Sequence, residues 1–79
     1  MSELKEDDLI FLTTLSKFSF GHAAEALLKT KLLDLGMSEP KYNIIRKRLI
    51  YARYIGSVYG NLTLEKKGYD ELASESKDK

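Results

Sequence analysis

Apolar residues in the first third of the chain fall at helical spacing. Leu9, Leu12 and Leu15, with Phe11 and Phe18 beside them, follow the i, i+3, i+4 rhythm of one buried helix face. Ile10 lies outside that rhythm, so the face is broad or covered on two sides. Asp7 or Asp8 is the expected cap of this first helix. The segment Phe18-Ser19-Phe20-Gly21 breaks the pattern, and Ser19 or Gly21 is expected to start a second helix. That helix is expected to run through Ala23, Ala24, Leu27 and Leu28 towards Leu32, Leu33 and Leu35, because alanine and leucine favour helix. Gly36 ends it, since glycine takes the positive φ that follows many helix C-termini.

A third helix is expected over residues 38–53. Ser38 can cap it, and Pro40 is tolerated in its first turn, where no intrahelical N–H is lost. Tyr42, Ile45, Leu49 and Ala52 lie within about 80° of one another at 100° per residue and form its core stripe. The opposite side centres near Lys47, flanked by Asn43, Ile44, Ile50 and Tyr51. After Tyr54 the helical rhythm gives way to alternation. Ile55 to Tyr59 reads as a strand, Gly60-Asn61 as a two-residue hairpin turn, and Leu62-Thr63-Leu64 as the return strand. Thr63 is then the expected cap of a fourth helix from Leu64 to about Ser74, with Leu64, Tyr69 and Leu72 as its apolar contacts. The fold class is therefore mainly α with a small β-hairpin, in the order H1-H2-H3-β-β-H4.

Length makes this one domain, residues 1–79, with a core over about 8–74 and a polar tail at 75–79. A hydrophobic fraction of 43% suits a globular chain rather than a disordered one. There is no cysteine, so neither a disulfide nor a thiolate zinc site is available. The acidic start is unlike a secretory signal, and no apolar run approaches the ~20 residues of a membrane span. A cytoplasmic protein is the expectation. The net charge of +1 conceals an uneven distribution. Residues 1–8 sum to −3, residues 41–53 to +5, and residues 69–79 to −2. Local fields, not the overall balance, decide what such a surface attracts.

Three groups of residues carry a likeness to a known family: Leu35-Gly36-Met37-Ser38; Arg48-Leu49 with Tyr54-Ile55; and Leu62-Thr63-Leu64-Glu65-Lys66-Lys67-Gly68. In order and spacing, over roughly residues 8–73, they resemble the winged helix-turn-helix DNA-binding family of small bacterial, archaeal and viral transcription regulators. The resemblance implies sequence-specific binding of double-stranded DNA, with residues 38–53 as the recognition helix. It places Lys41, Asn43, Ile44 and Lys47 towards base edges, where asparagine suits adenine and lysine suits guanine acceptors. Arg46, Arg48 and Arg53 would reach phosphates or pin the helix to the rim of the core, with Tyr51 on the same exposed side. Ser38, Tyr59, Asn61, Lys66 and Lys67 are further candidates for phosphate contact. The hairpin tip departs from the family's stronger DNA binders because it holds no arginine or lysine, which argues against insertion into the minor groove.

Chemistry of other kinds finds little support. His22 is the one histidine and has no cysteine to share a metal with, so a surface role is expected. Asp7 and Asp8 are adjacent and point apart on a helix, so they do not form a catalytic dyad. The glycines are scattered among turns rather than gathered in a phosphate loop. No enzyme, cofactor, metal or small-molecule ligand is expected. Members of the resembled family often pair as two-fold dimers. A homodimer here would use Ile10 and Phe11 of the first helix with Tyr69 and Leu72 of the fourth. The competing reading is a protein-interaction adaptor with the same fold, suggested by Ile44, Ile50 and Tyr51 on the third helix.

Overall fold

The computed structural model describes residues 4–18 and 21–77, with side chains described as far as residue 74. The expected helix start at Ser19 lies outside the described residues. Four helices and a small antiparallel sheet follow one another as α1 (Glu6–Ser16), β1 (His22–Ala24), α2 (Glu25–Asp34), α3 (Glu39–Tyr51), β2 (Ile55–Val58), β3 (Asn61–Leu64) and α4 (Lys66–Lys77). The fold is thus mainly helical, and its hairpin has gained a third strand. Sheet order is β1-β3-β2, with all pairs antiparallel.

β1 corrects the expectation that Ala23 and Ala24 belong to the second helix. Ala23 pairs with Leu62 and is buried. β3 offers a free edge there, and pairing to it outweighs the intrinsic helix preference of two alanines. α2 begins only at Glu25, whose N–H donates to the Gly60 carbonyl at 2.9 Å. One otherwise unpaired amide of the helix start is therefore satisfied by the hairpin tip. Of the expected apolar run in α2, Leu28 and Leu32 are buried, while Leu27, Leu33 and Leu35 are exposed.

The hairpin turn sits one residue earlier than expected. Val58 pairs with Asn61, so Tyr59 and Gly60 are the two loop residues, at φ 49° and 78°. Both positive angles fit the tight turn that matches strand twist. Tyrosine at positive φ is uncommon, and nothing in its sequence context announces it. The start of α4 is also revised. Leu64 lies in β3 and is buried, α4 runs from Lys66, and the Thr63 hydroxyl donates to Glu65 Oε2 at 2.8 Å instead of capping the helix. α4 continues to Lys77, beyond the expected Ser74.

α1 is capped differently too. Lys5 is its N-cap, and Asp8, in the third helical position, accepts the Lys5 N–H at 3.0 Å. Phe11, Leu12 and Leu15 of α1 are fully buried against Leu28, Leu32, Tyr42, Ile45 and Leu49 of α2 and α3. The Phe11 and Tyr42 rings stack at 5.6 Å with a 27° interplanar angle. Ile55, Leu62 and Leu64 close the core from the sheet. This packing holds α3 by its Tyr42-Ile45-Leu49 stripe and turns the opposite side outward.

Candidate nucleic-acid interface

α3 is set by local chemistry at both ends. Ser38 is the N-cap, and its hydroxyl accepts the Lys41 N–H at 3.3 Å. Before it, α2 closes with Gly36 at φ 105°: the Met37 N–H reaches the Leu32 carbonyl and the Gly36 N–H reaches that of Leu33. This pair of bonds is a Schellman closure, which needs a residue at positive φ. α3 ends with the same closure, from Tyr54 to Leu49 and from Arg53 to Ile50, but the residue at positive φ is Arg53, at 69°.

The outward face of α3 carries Asn43, Ile44, Lys47 and Tyr51, all exposed, with Tyr51 at 91%. Ile50 does not join them. It is half-buried and packs on the core, which removes it from the surface proposed for an adaptor.

The cations of α3 and of the turn that closes it divide into two classes. Three meet acids from other helices. On the α2 side, Arg46 Nε lies 2.5 Å from Glu25 Oε2, an ion pair not aligned as a hydrogen bond. The same carboxylate accepts the Tyr42 hydroxyl at 3.1 Å. Burial of Tyr42 raises its phenol far above the usual range, and the Glu25 charge and hydrogen bond raise it further, against the opposing Arg46 charge. On the α1 side, Lys41 Nζ lies 2.6 Å from Asp7 Oδ2, and Arg48 is bound to Asp8, a carboxylate only 2% exposed. Asp8 thus joins the start of α1 to the flank of α3, and removing either partner would strand a buried charge or leave an unpaired one. Lys47 and Arg53 form the second class: exposed, with no charged or hydrogen-bonded partner among the described residues. At the start of α3, Lys29 holds Glu39 at 2.6 Å, and that hydrogen bond and charge lower the Glu39 carboxyl.

The remaining candidates separate likewise. Tyr59, at the hairpin tip, is 99% exposed. Asn61 is not at the tip but within β3, paired to both Val58 and Ala24, and half-buried. Lys66 pairs with Asp70 at 3.3 Å on the surface of α4. Lys67 is committed to the end of α3: its ammonium donates to the Ala52 carbonyl at 3.1 Å and lies 4.5 Å from the Tyr54 ring centre. His22 is exposed on β1. Phe11, expected at a dimer surface, is fully buried, and Ile10 and Leu72 pack on the core.

Comparison with protein-family profiles, with curated proteins and with solved structures gave no match. Among the described residues no cluster of three or more metal-binding side chains occurs, and no helix is long and apolar enough to cross a membrane. The acids that neutralise the flanks of α3 escaped sequence reasoning. Asp7 and Lys41 are 34 positions apart and Asp8 and Arg48 are 40 apart, so only the packing of α1 on α3 brings them together.

Proposed function

We propose that this chain is a winged helix-turn-helix domain that binds double-stranded DNA sequence-specifically and regulates transcription, with α3 as the reading helix. The observation that carries the reading is the outward strip Asn43-Ile44-Lys47-Tyr51, presented by a helix that a glycine turn sets against α2. In a major groove, Asn43 suits the paired donor and acceptor of adenine, Lys47 the acceptors of guanine, and Ile44 a thymine methyl. Arg53 and Ser38 would meet phosphates at the two ends of the helix, which positions it without reading sequence. Tyr59 would add a hydroxyl from the hairpin. Two-fold pairing of the domain would set two such helices about one DNA turn apart. Regulation would follow from occupancy of the site.

The test is fluorescence anisotropy of a labelled duplex pool at two salt concentrations, for the wild type and for Lys47→Ala. Binding should weaken steeply with salt, and Lys47→Ala should lose about tenfold in affinity while its circular dichroism is unchanged. A folded wild type that binds no duplex at low salt would overturn the reading. The second reading is a protein-interaction adaptor. It is favoured by the exposure of Ile44 at 61% and Tyr51 at 91%, beside flanks whose cations are already neutralised. Under it, Ile44→Asp abolishes partner binding and Lys47→Ala does not.

A further inference from the structure

We propose that Asp7 is a built-in counter-charge for the reading helix: it competes with DNA phosphate for Lys41, and engagement requires that pair to exchange. The inference rests on the DNA-binding reading and adds a control on the same surface.

The two acids at the start of α1 are not equivalent. Asp8 is buried, accepts the Lys5 N–H and holds Arg48, so it belongs to the framework. Among the described residues Asp7 makes one ion pair, to Lys41, through side chains that are 42% and 54% exposed. An exposed pair of this kind adds little to stability and is readily screened or exchanged. Asp7 is nevertheless favourably placed. It lies in the first turn of α1, where the helix dipole favours a negative charge. Lys41 in turn lies in the first turn of α3, the end of a reading helix nearest the bases and their phosphates.

The two side chains share a shallow groove with Lys5, Ile44, Ile45 and Arg48, between the start of α1 and α3. Of the basic groups in that groove, Arg48 is taken by Asp8, Lys41 by Asp7, and Lys5 stays exposed. A phosphate approaching Lys41 therefore meets a carboxylate already on it, and gains that cation only by displacing it. The outcome is a weaker and less salt-sensitive attraction than five cations on one helix would imply.

The test is a double-mutant cycle on duplex affinity, read by anisotropy across a salt series. Asp7→Asn should tighten binding about three- to tenfold at low salt and steepen the logarithmic salt slope by about 0.9, the increment for one further phosphate contact. In a Lys41→Ala background the same substitution should change affinity less than about twofold, because the cation it releases is gone. Asp34→Asn, at an exposed acid ending α2, measures the general effect of removing one negative charge. Thermal unfolding should confirm that Asp7→Asn stays folded, within about 2 °C of the wild type. Tightening of equal size in both backgrounds, or in Asp34→Asn, would reduce the effect to bulk charge and overturn the proposal. So would unchanged affinity in Asp7→Asn. If no variant binds duplex, the DNA-binding reading itself has failed; if the wild type binds and Asp7→Asn is unchanged, only the counter-charge has.

Discussion

α2 and α3 end in the same way with different residues. Each closes with two crossing hydrogen bonds around a residue at positive φ, and each sends the next residue into the core: Met37 after α2, at 9% exposure, and Tyr54 after α3, at 5%. After α2 the residue at positive φ is Gly36, which bears that angle without strain. After α3 it is Arg53, whose side chain makes the same angle unfavourable. The geometry does not call for arginine. Where one closure uses the residue that fits and the other does not, the misfit makes Arg53 the position at which to test for a task outside the fold.

The largest effects should come from what the two closures share. Tyr54→Ala should destabilise by about 3–4 kcal/mol, since it empties a buried aromatic site and removes the ring beneath the Lys67 ammonium. Met37→Ala should cost about 2 kcal/mol, because methionine is smaller and its site is nearer the surface. Guanidinium unfolding of the two variants side by side would measure the difference, and equal losses would show that the two ends anchor the core alike. A smaller effect should separate the closures themselves. Gly36→Ala should cost about 1–2 kcal/mol by backbone strain alone, since beyond the two adjoining residues no atom lies within 4 Å of where the new methyl would go. A loss below that range would mean that the turn relaxes freely.

The difference between these ends also shows where sequence reasoning succeeds. Gly36, Ser38 and Pro40 act through the one or two residues beside them, so the turn and the start of α3 were legible, as was the Tyr42-Ile45-Leu49 stripe. What failed depended on distant partners. His22–Ala24 is too short to show alternation and is a strand only because β3 lies alongside. The hairpin turn was misplaced by one residue because Tyr59, not Asn61, takes the positive φ. In the candidate site, the exposed strip of α3 followed from its period. The neutralisation of Lys41, Arg46 and Arg48 did not, because their acids come from α1 and α2. Five cations in thirteen residues read as a basic helix; folded, two of them have no partner among the described residues.

Arg53→Gly is the smallest change in stability and the sharpest test of the comparison, because it makes the two closures identical. Relief of the positive-φ strain should stabilise the fold. Two terms oppose it: the greater freedom of glycine in the unfolded chain, and the loss of a cation at the negative end of the α3 dipole. The net gain should be about 0.5 kcal/mol, or about 2–4 °C in melting temperature for a chain of this size. Duplex affinity should move the other way, with the salt slope reduced by about 0.9 as one phosphate contact is lost. Arg53→Lys should keep most of the affinity and gain no stability, since it retains both the charge and the strain. A more stable protein that binds more weakly would mean that arginine is kept there for its charge. A more stable protein with unchanged affinity would mean that the strained arginine does nothing for DNA, and would leave Lys47 to carry the reading.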